Sequence, residues 1–116
     1  MTETIEERRI KHEAASEAFS DYQKEAYGYA RYRSTLYPFL GLSEEVGEVN
    51  GIVAKELRKH GDTLGVDRVR MKDELGDVLW NLAACCTEVG LDLSDVAQHN
   101  LAKLANREIR GTIVER

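Results

Sequence analysis

Two acidic hexapeptides constrain this chain more than any other feature. EEVGEV spans residues 44–49 and DELGDV spans residues 73–78, at an offset of 29 residues. Glu44, Glu45, Gly47 and Glu48 of the first recur as Asp73, Glu74, Gly76 and Asp77 of the second. Each cluster lies inside a run with helical apolar spacing. Phe39, Leu42, Val46, Val49, Val53 and Leu57 form one stripe, and Met71, Leu75, Val78, Leu82, Cys86 and Val89 form the other. At about 100° per residue the acids border each stripe instead of lying opposite it. Packing stripe against stripe then sets both acidic edges along one groove. Ile52 falls among the acids, so that face is not built for water alone.

In each cluster an i, i+3 pair brings two Cβ atoms to about 5–6 Å. Four carboxylates, Glu45, Glu48, Glu74 and Asp77, are therefore expected to converge from two helices. They repel one another unless a cation sits among them. Hard oxygen ligands of this kind suit Mg2+, with Mn2+ as a substitute, and Mg2+ is commonly shared with substrate phosphates. Gly47 and Gly76 each cost about 1 kcal/mol relative to alanine inside a helix. Their matching positions predict a close backbone approach.

The rest of the chain is consistent with a helical protein. The one proline and the placement of glycines predict four helices, over about 4–33, 38–59, 67–89 and 94–109, with Ser94 as the cap of the last. No segment alternates as a strand. The expectation is an all-α bundle, a single domain over residues 1–116, completed by association into a homodimer or homotetramer.

Composition excludes other classes. With 16 basic against 21 acidic residues the formal charge is −5, which disfavours nucleic acid as a partner. No apolar run is long enough for a membrane span, and the N-terminus lacks the apolar core of a signal peptide, so a cytoplasmic setting is expected. Adjacent Cys85 and Cys86 point about 100° apart on a helix and read as small buried hydrophobes. There is no ExxH pair of a di-iron bundle, no HExxH and no phosphate-binding GxxxxGK[ST] loop.

The acidic signature stands as Glu44-Glu45-Val46-Gly47-Glu48, 25 intervening residues, then Glu74-Leu75-Gly76-Asp77. With the continuations DVLWNLA and NLAKLANREIRG, it resembles the MazG-like all-α nucleoside triphosphate pyrophosphohydrolases over roughly residues 27 to 112. The resemblance implies cleavage of a nucleoside triphosphate to monophosphate and pyrophosphate, in control of nucleotide pools. It also implies Mg2+ at Glu45, Glu48, Glu74 and Asp77. Glu44 or Glu48 is then the candidate to take a proton from the attacking water.

Periodicity places further residues near such a site. Asn81 lies one turn past Asp77 and can read a base through its amide. Trp80 points elsewhere, toward packing or a subunit interface. Lys55 and Lys59 continue the acidic stripe toward phosphate oxygens. Asn100, Lys103 and Arg107 share one stripe of the fourth helix; the resemblance implies that Lys103 and Arg107 hold phosphates, and Asn100 joins the base-binding candidates. Tyr29 and Tyr32 are expected to stack on a base. Two alternatives differ in substrate or class: a pyrophosphohydrolase acting on a nucleotide adduct such as phosphoribosyl-ATP, and a non-catalytic acidic helical module that docks a basic partner.

Overall fold

The computed structural model describes residues 2–62 and 65–111. Met1, part of the connector HGDTLGVD (residues 63 and 64) and the end of the expected 1–116 domain (residues 112–116) lie outside the described residues. Four helices account for the fold: α1 (Ile5–Tyr27), α2 (Tyr37–His60), α3 (Arg68–Glu88) and α4 (Leu93–Ile109). The described residues contain no strand, as expected.

Local chemistry sets the helix ends. Thr4 starts α1 with a capping box: its hydroxyl accepts from the Glu7 N–H at 3.0 Å, and its own N–H donates to the Glu7 carboxylate at 2.9 Å. The helix stops at Tyr27 rather than near residue 33, because the chain turns at Gly28 into a non-helical connector. Pro38 sits in the first turn of α2, where its missing N–H costs nothing. α4 is capped by Asp92, not Ser94: the Asp92 carboxylate accepts from the Ser94 N–H at 3.2 Å and from its hydroxyl at 3.0 Å. Those two bonds hold the Asp92 carboxyl below its ordinary range. Between α3 and α4 the chain reverses at Gly90, whose φ of 74° is open to glycine at little cost.

The helices pack as two antiparallel pairs that meet along α3. One pair is the α2–α3 hairpin. The other is α1 with α4, joined where the Gln98 amide donates to the Ser16 hydroxyl at 2.7 Å. The core lies where α3 meets that second pair, at Ala83, Cys86 and Leu93, with Tyr22 and Val96 against them. Gln23 ties the corner together. Its Nε2 donates to the Leu91 carbonyl at 3.0 Å and the Thr87 hydroxyl at 3.1 Å, and its Oε1 accepts from the Leu93 N–H at 2.8 Å. Cys85 and Cys86 are free, buried thiols, and burial pushes both upward in pKa.

The seam between α2 and α3 differs from the expected one. Gly41 and Ile52 are buried on α2, and Asn81 and Cys85 on α3. Half-buried Glu45, Val49, Met71, Glu74 and Val78 continue the same line at spacings of three and four. The helices are thus rotated toward their acidic edges. Much of each apolar stripe is left outside: Phe39, Val46, Val53 and Leu57 on α2, and Leu75, Leu82 and Val89 on α3, with Leu57 56% and Val89 58% exposed. Gly47 and Gly76 do not mark a close approach within the chain, since a Cβ at either would meet nothing within 4 Å.

Candidate metal centre

The rotation of α2 on α3 carries Glu45 and Glu74 to facing positions of the seam, with Asp77 one turn from Glu74. One carboxylate oxygen from each of these three residues lies within 4.8 Å of the others. Burial raises the Glu45 carboxyl above its ordinary range, and the charges of Asp77, Glu74, Glu44 and Glu48 raise it further. Three hard oxygens so close, one of them in a site that resists ionising, form a donor set that fits a divalent cation such as Mg2+ or Mn2+. Glu48 is exposed and stands outside the three-residue group, though its charge acts on Glu45.

Glu45 and Asp77, with Glu44, line a cavity of about 270 Å3 whose wall is completed by Tyr37, Gly41, Trp80 and Asn81. A larger, open hollow of about 390 Å3 near Val66, Val69 and Leu75 has no carboxylate in its wall. The smaller cavity is the candidate site because two of the three grouped carboxylates, Glu45 and Asp77, line it, whereas a hollow of about 470 Å3 that joins Tyr27 to Asp92 has a single acid in its wall.

An aromatic stack supports the far wall. Tyr32 lies against Tyr37, with ring centroids 5.9 Å apart and planes at 21°, and stands edge-on to Trp80 at 6.3 Å and 82°. Glu88 holds the stack from behind: its Oε1 accepts from the Tyr32 hydroxyl at 2.7 Å and the Tyr27 hydroxyl at 2.8 Å. The two bonds, Tyr32's first, hold the Glu88 carboxyl below its ordinary range. Burial, then Glu88, raises the Tyr32 hydroxyl. The Trp80 indole N–H donates to the Ala26 carbonyl at 3.0 Å, so this side chain both packs against α1 and lines the cavity.

Other sequence candidates fall at varied distances from the centre. Asn81 and Glu44 line the cavity. Tyr32 stands one layer behind its wall, while Tyr29 is 71% exposed in the connector after α1. Lys55 and Lys59 are exposed on α2, about 10 and 16 Å of helical rise beyond Glu48. Asn100, Lys103 and Arg107 are exposed on α4, which packs on α1 and α3 and not on α2 among the described residues. Sequence reasoning missed Tyr37 and Gly41. Their signal was present, because Tyr37, Gly41 and Glu45 are spaced by four and share one face.

A family model, that of the MazG nucleotide pyrophosphohydrolase domain, matches residues 34–110. The chain belongs to this family. The MazG span contains α2, α3 and α4 with every acidic residue of the candidate centre, and α1 lies wholly before it. The chain is also 41% identical over 78 residues to the Gene 37 protein of Mycobacterium phage L5, covering 66% of this chain and 68% of that relative. No solved structure matches the chain.

Proposed function

We propose that this MazG domain is a Mg2+-dependent nucleoside triphosphate pyrophosphohydrolase that converts a (d)NTP and water to the (d)NMP and pyrophosphate. The observation that carries this reading is the group of three carboxylate oxygens at the edge of an aromatic-walled cavity. Glu45, Glu74 and Asp77 hold the cation, and Glu48, one turn along α2 from Glu45, completes the set. When bound, the cation neutralises the triphosphate and lowers the pKa of the attacking water. Glu44, beside Glu45 in the cavity wall, accepts the proton of that water. Tyr37 and Trp80 give the base a flat apolar wall, fixed by Tyr32 and Glu88 behind it. Lys55 and Lys59 meet phosphate oxygens where the groove runs on along α2. The biological role is control of nucleotide pools.

A second copy of the chain completes the enzyme. The Cα radius of gyration is 17.5 Å, against about 13 Å for a compact chain of this length. The outer side of the α2–α3 hairpin carries Phe39, Val46, Val53, Leu75, Leu82 and Val89 exposed together, the composition of an interface and not of a solvated surface. Assembly across this face as a homodimer, or as a homotetramer built from it, brings in Lys103 and Arg107 from α4 to the phosphates and Asn100 to the base.

Product analysis tests the reaction. The eight common NTPs and dNTPs are incubated with Mg2+ or with EDTA and the products are resolved by ion exchange. Monophosphate and pyrophosphate, formed only with metal, are expected; diphosphate with orthophosphate contradicts the cleavage assigned. Glu48→Gln is expected to abolish metal-dependent turnover with helical content intact, and unchanged turnover removes Glu48 from the centre.

A further inference from the structure

We infer that the Asn81 side-chain carbonyl is the acceptor for a hydrogen-bond donor of the substrate, and that Gly41 is the positioning residue that makes room for it. This role rests on the pyrophosphohydrolase reading and narrows its substrate chemistry to nucleotides that bring an N–H or O–H to this wall.

Asn81 is only 7% exposed, and its Nδ2 donates to the Asp77 carbonyl at 2.9 Å. A backbone carbonyl only accepts, so the amide cannot be turned round without setting two oxygens against each other. Oδ1 therefore faces α2. There it lies against Gly41: a Cβ added at that position would stand 2.3 Å from Oδ1 and 3.7 Å from Nδ2. Any side chain at residue 41 pushes the amide out of place. Among the described residues no protein donor is bonded to Oδ1, although Asn81 lines the cavity.

Apart from the Tyr37 hydroxyl, which both donates and accepts, the rest of the wall offers a substrate acceptors only. Glu44, Glu45 and Asp77 are acceptors, and the Trp80 N–H is already committed to Ala26. A cation satisfies the carboxylates but leaves the Asn81 carbonyl open to the cavity, and a substrate that covers it without offering a donor leaves that acceptor unpaired at a desolvation cost. The exocyclic amino group of cytosine or adenine, or a sugar hydroxyl, supplies that donor. The keto oxygen of uracil or hypoxanthine in the same place sets lone pair against lone pair.

The test is kcat/KM on matched pairs with the wild type, Gly41→Ala and Asn81→Leu: dCTP against dUTP, dATP against dITP, and dCTP against its 2′,3′-dideoxy form. The wild type is expected to lose about tenfold when the donor is deleted. In both variants that ratio falls to within about twofold, with circular dichroism and the Mg2+-induced thermal shift unchanged. A loss in the amino pairs assigns the donor to the base, and a loss in the dideoxy pair assigns it to the sugar. Equal turnover of every pair by the wild type, a ratio that survives both substitutions, or loss of the Mg2+ shift in Gly41→Ala overturns the role of Asn81 while the reaction stands. Absence of any metal-dependent pyrophosphate release overturns the reaction itself and this role with it.

Discussion

One helix, α3, is gripped on two sides by seams of different material. Against α1 and α4 it buries Ala83, 1% exposed, and Cys86 beside Leu93, with Gln23 bonded to Thr87, Leu91 and Leu93 at the corner. Against α2 it sets Glu74 and Asn81 opposite Gly41 and Glu45, with Asp77 at the edge. The first seam has its polar groups satisfied and its small residues close-packed. The second places like charges in its middle, a cost that nothing in the folding of this chain explains. On the function proposed here stability belongs to one seam and binding to the other, so substitutions in the two are expected to fail in different ways.

The largest separation is expected from Glu45→Gln. Turnover should fall by at least about a hundredfold, since even groups that only support a metal ligand cost 10–100-fold. The metal-free unfolding midpoint should rise, because a crowded charge is removed. A variant that lost stability and activity together would make the α2–α3 seam structural after all. Next comes Leu93→Ala in the opposite seam. Urea denaturation should show a loss of about 2–5 kcal/mol, while folded molecules keep their turnover at low temperature. Gln23→Leu is expected to follow at about 1–3 kcal/mol, because the Leu93 N–H and Leu91 carbonyl lose their partner.

The smallest effect is the pH dependence that comes from the acidic seam. The Glu45 carboxyl is raised on folding, so the folded chain holds its proton more tightly than the unfolded one. Without metal, stability from this group is present at low pH and is lost as pH rises from the ordinary value of 4.5 through the raised one. Mg2+ binds the ionised form, so its thermal shift should grow over the same interval. A shift that is flat with pH, or that shrinks as pH rises, would detach Glu45 from the cation.

Much of the site was legible in the sequence, and less of its packing. The paired acidic clusters needed only helical periodicity and charge repulsion to be set across one groove. The four helices followed from apolar spacing and glycine punctuation. The seam itself was misjudged because a wheel puts the most apolar stripe inside, whereas Val46, Val53, Leu75 and Leu82 face outward in the single chain. Gly47 and Gly76 misled for a related reason, since both lie off the seam, where a Cβ would meet nothing within 4 Å. Gly41, which carried no acidic echo to draw attention, is the glycine that a neighbouring side chain requires. Asp92 outcompeted Ser94 as the α4 cap because its carboxylate binds the Ser94 N–H and hydroxyl together.

Manganese binding tests the divalent-cation centre most directly. Mn2+ is titrated by electron paramagnetic resonance into the wild type, Glu45→Gln and Glu74→Gln, each with a non-hydrolysable triphosphate present. Binding that saturates in the wild type and weakens by at least about tenfold in both variants, with Mg2+ competing for the same site, is the expected result. Equal Mn2+ binding in all three proteins, or none in the wild type, would contradict a metal centre between α2 and α3.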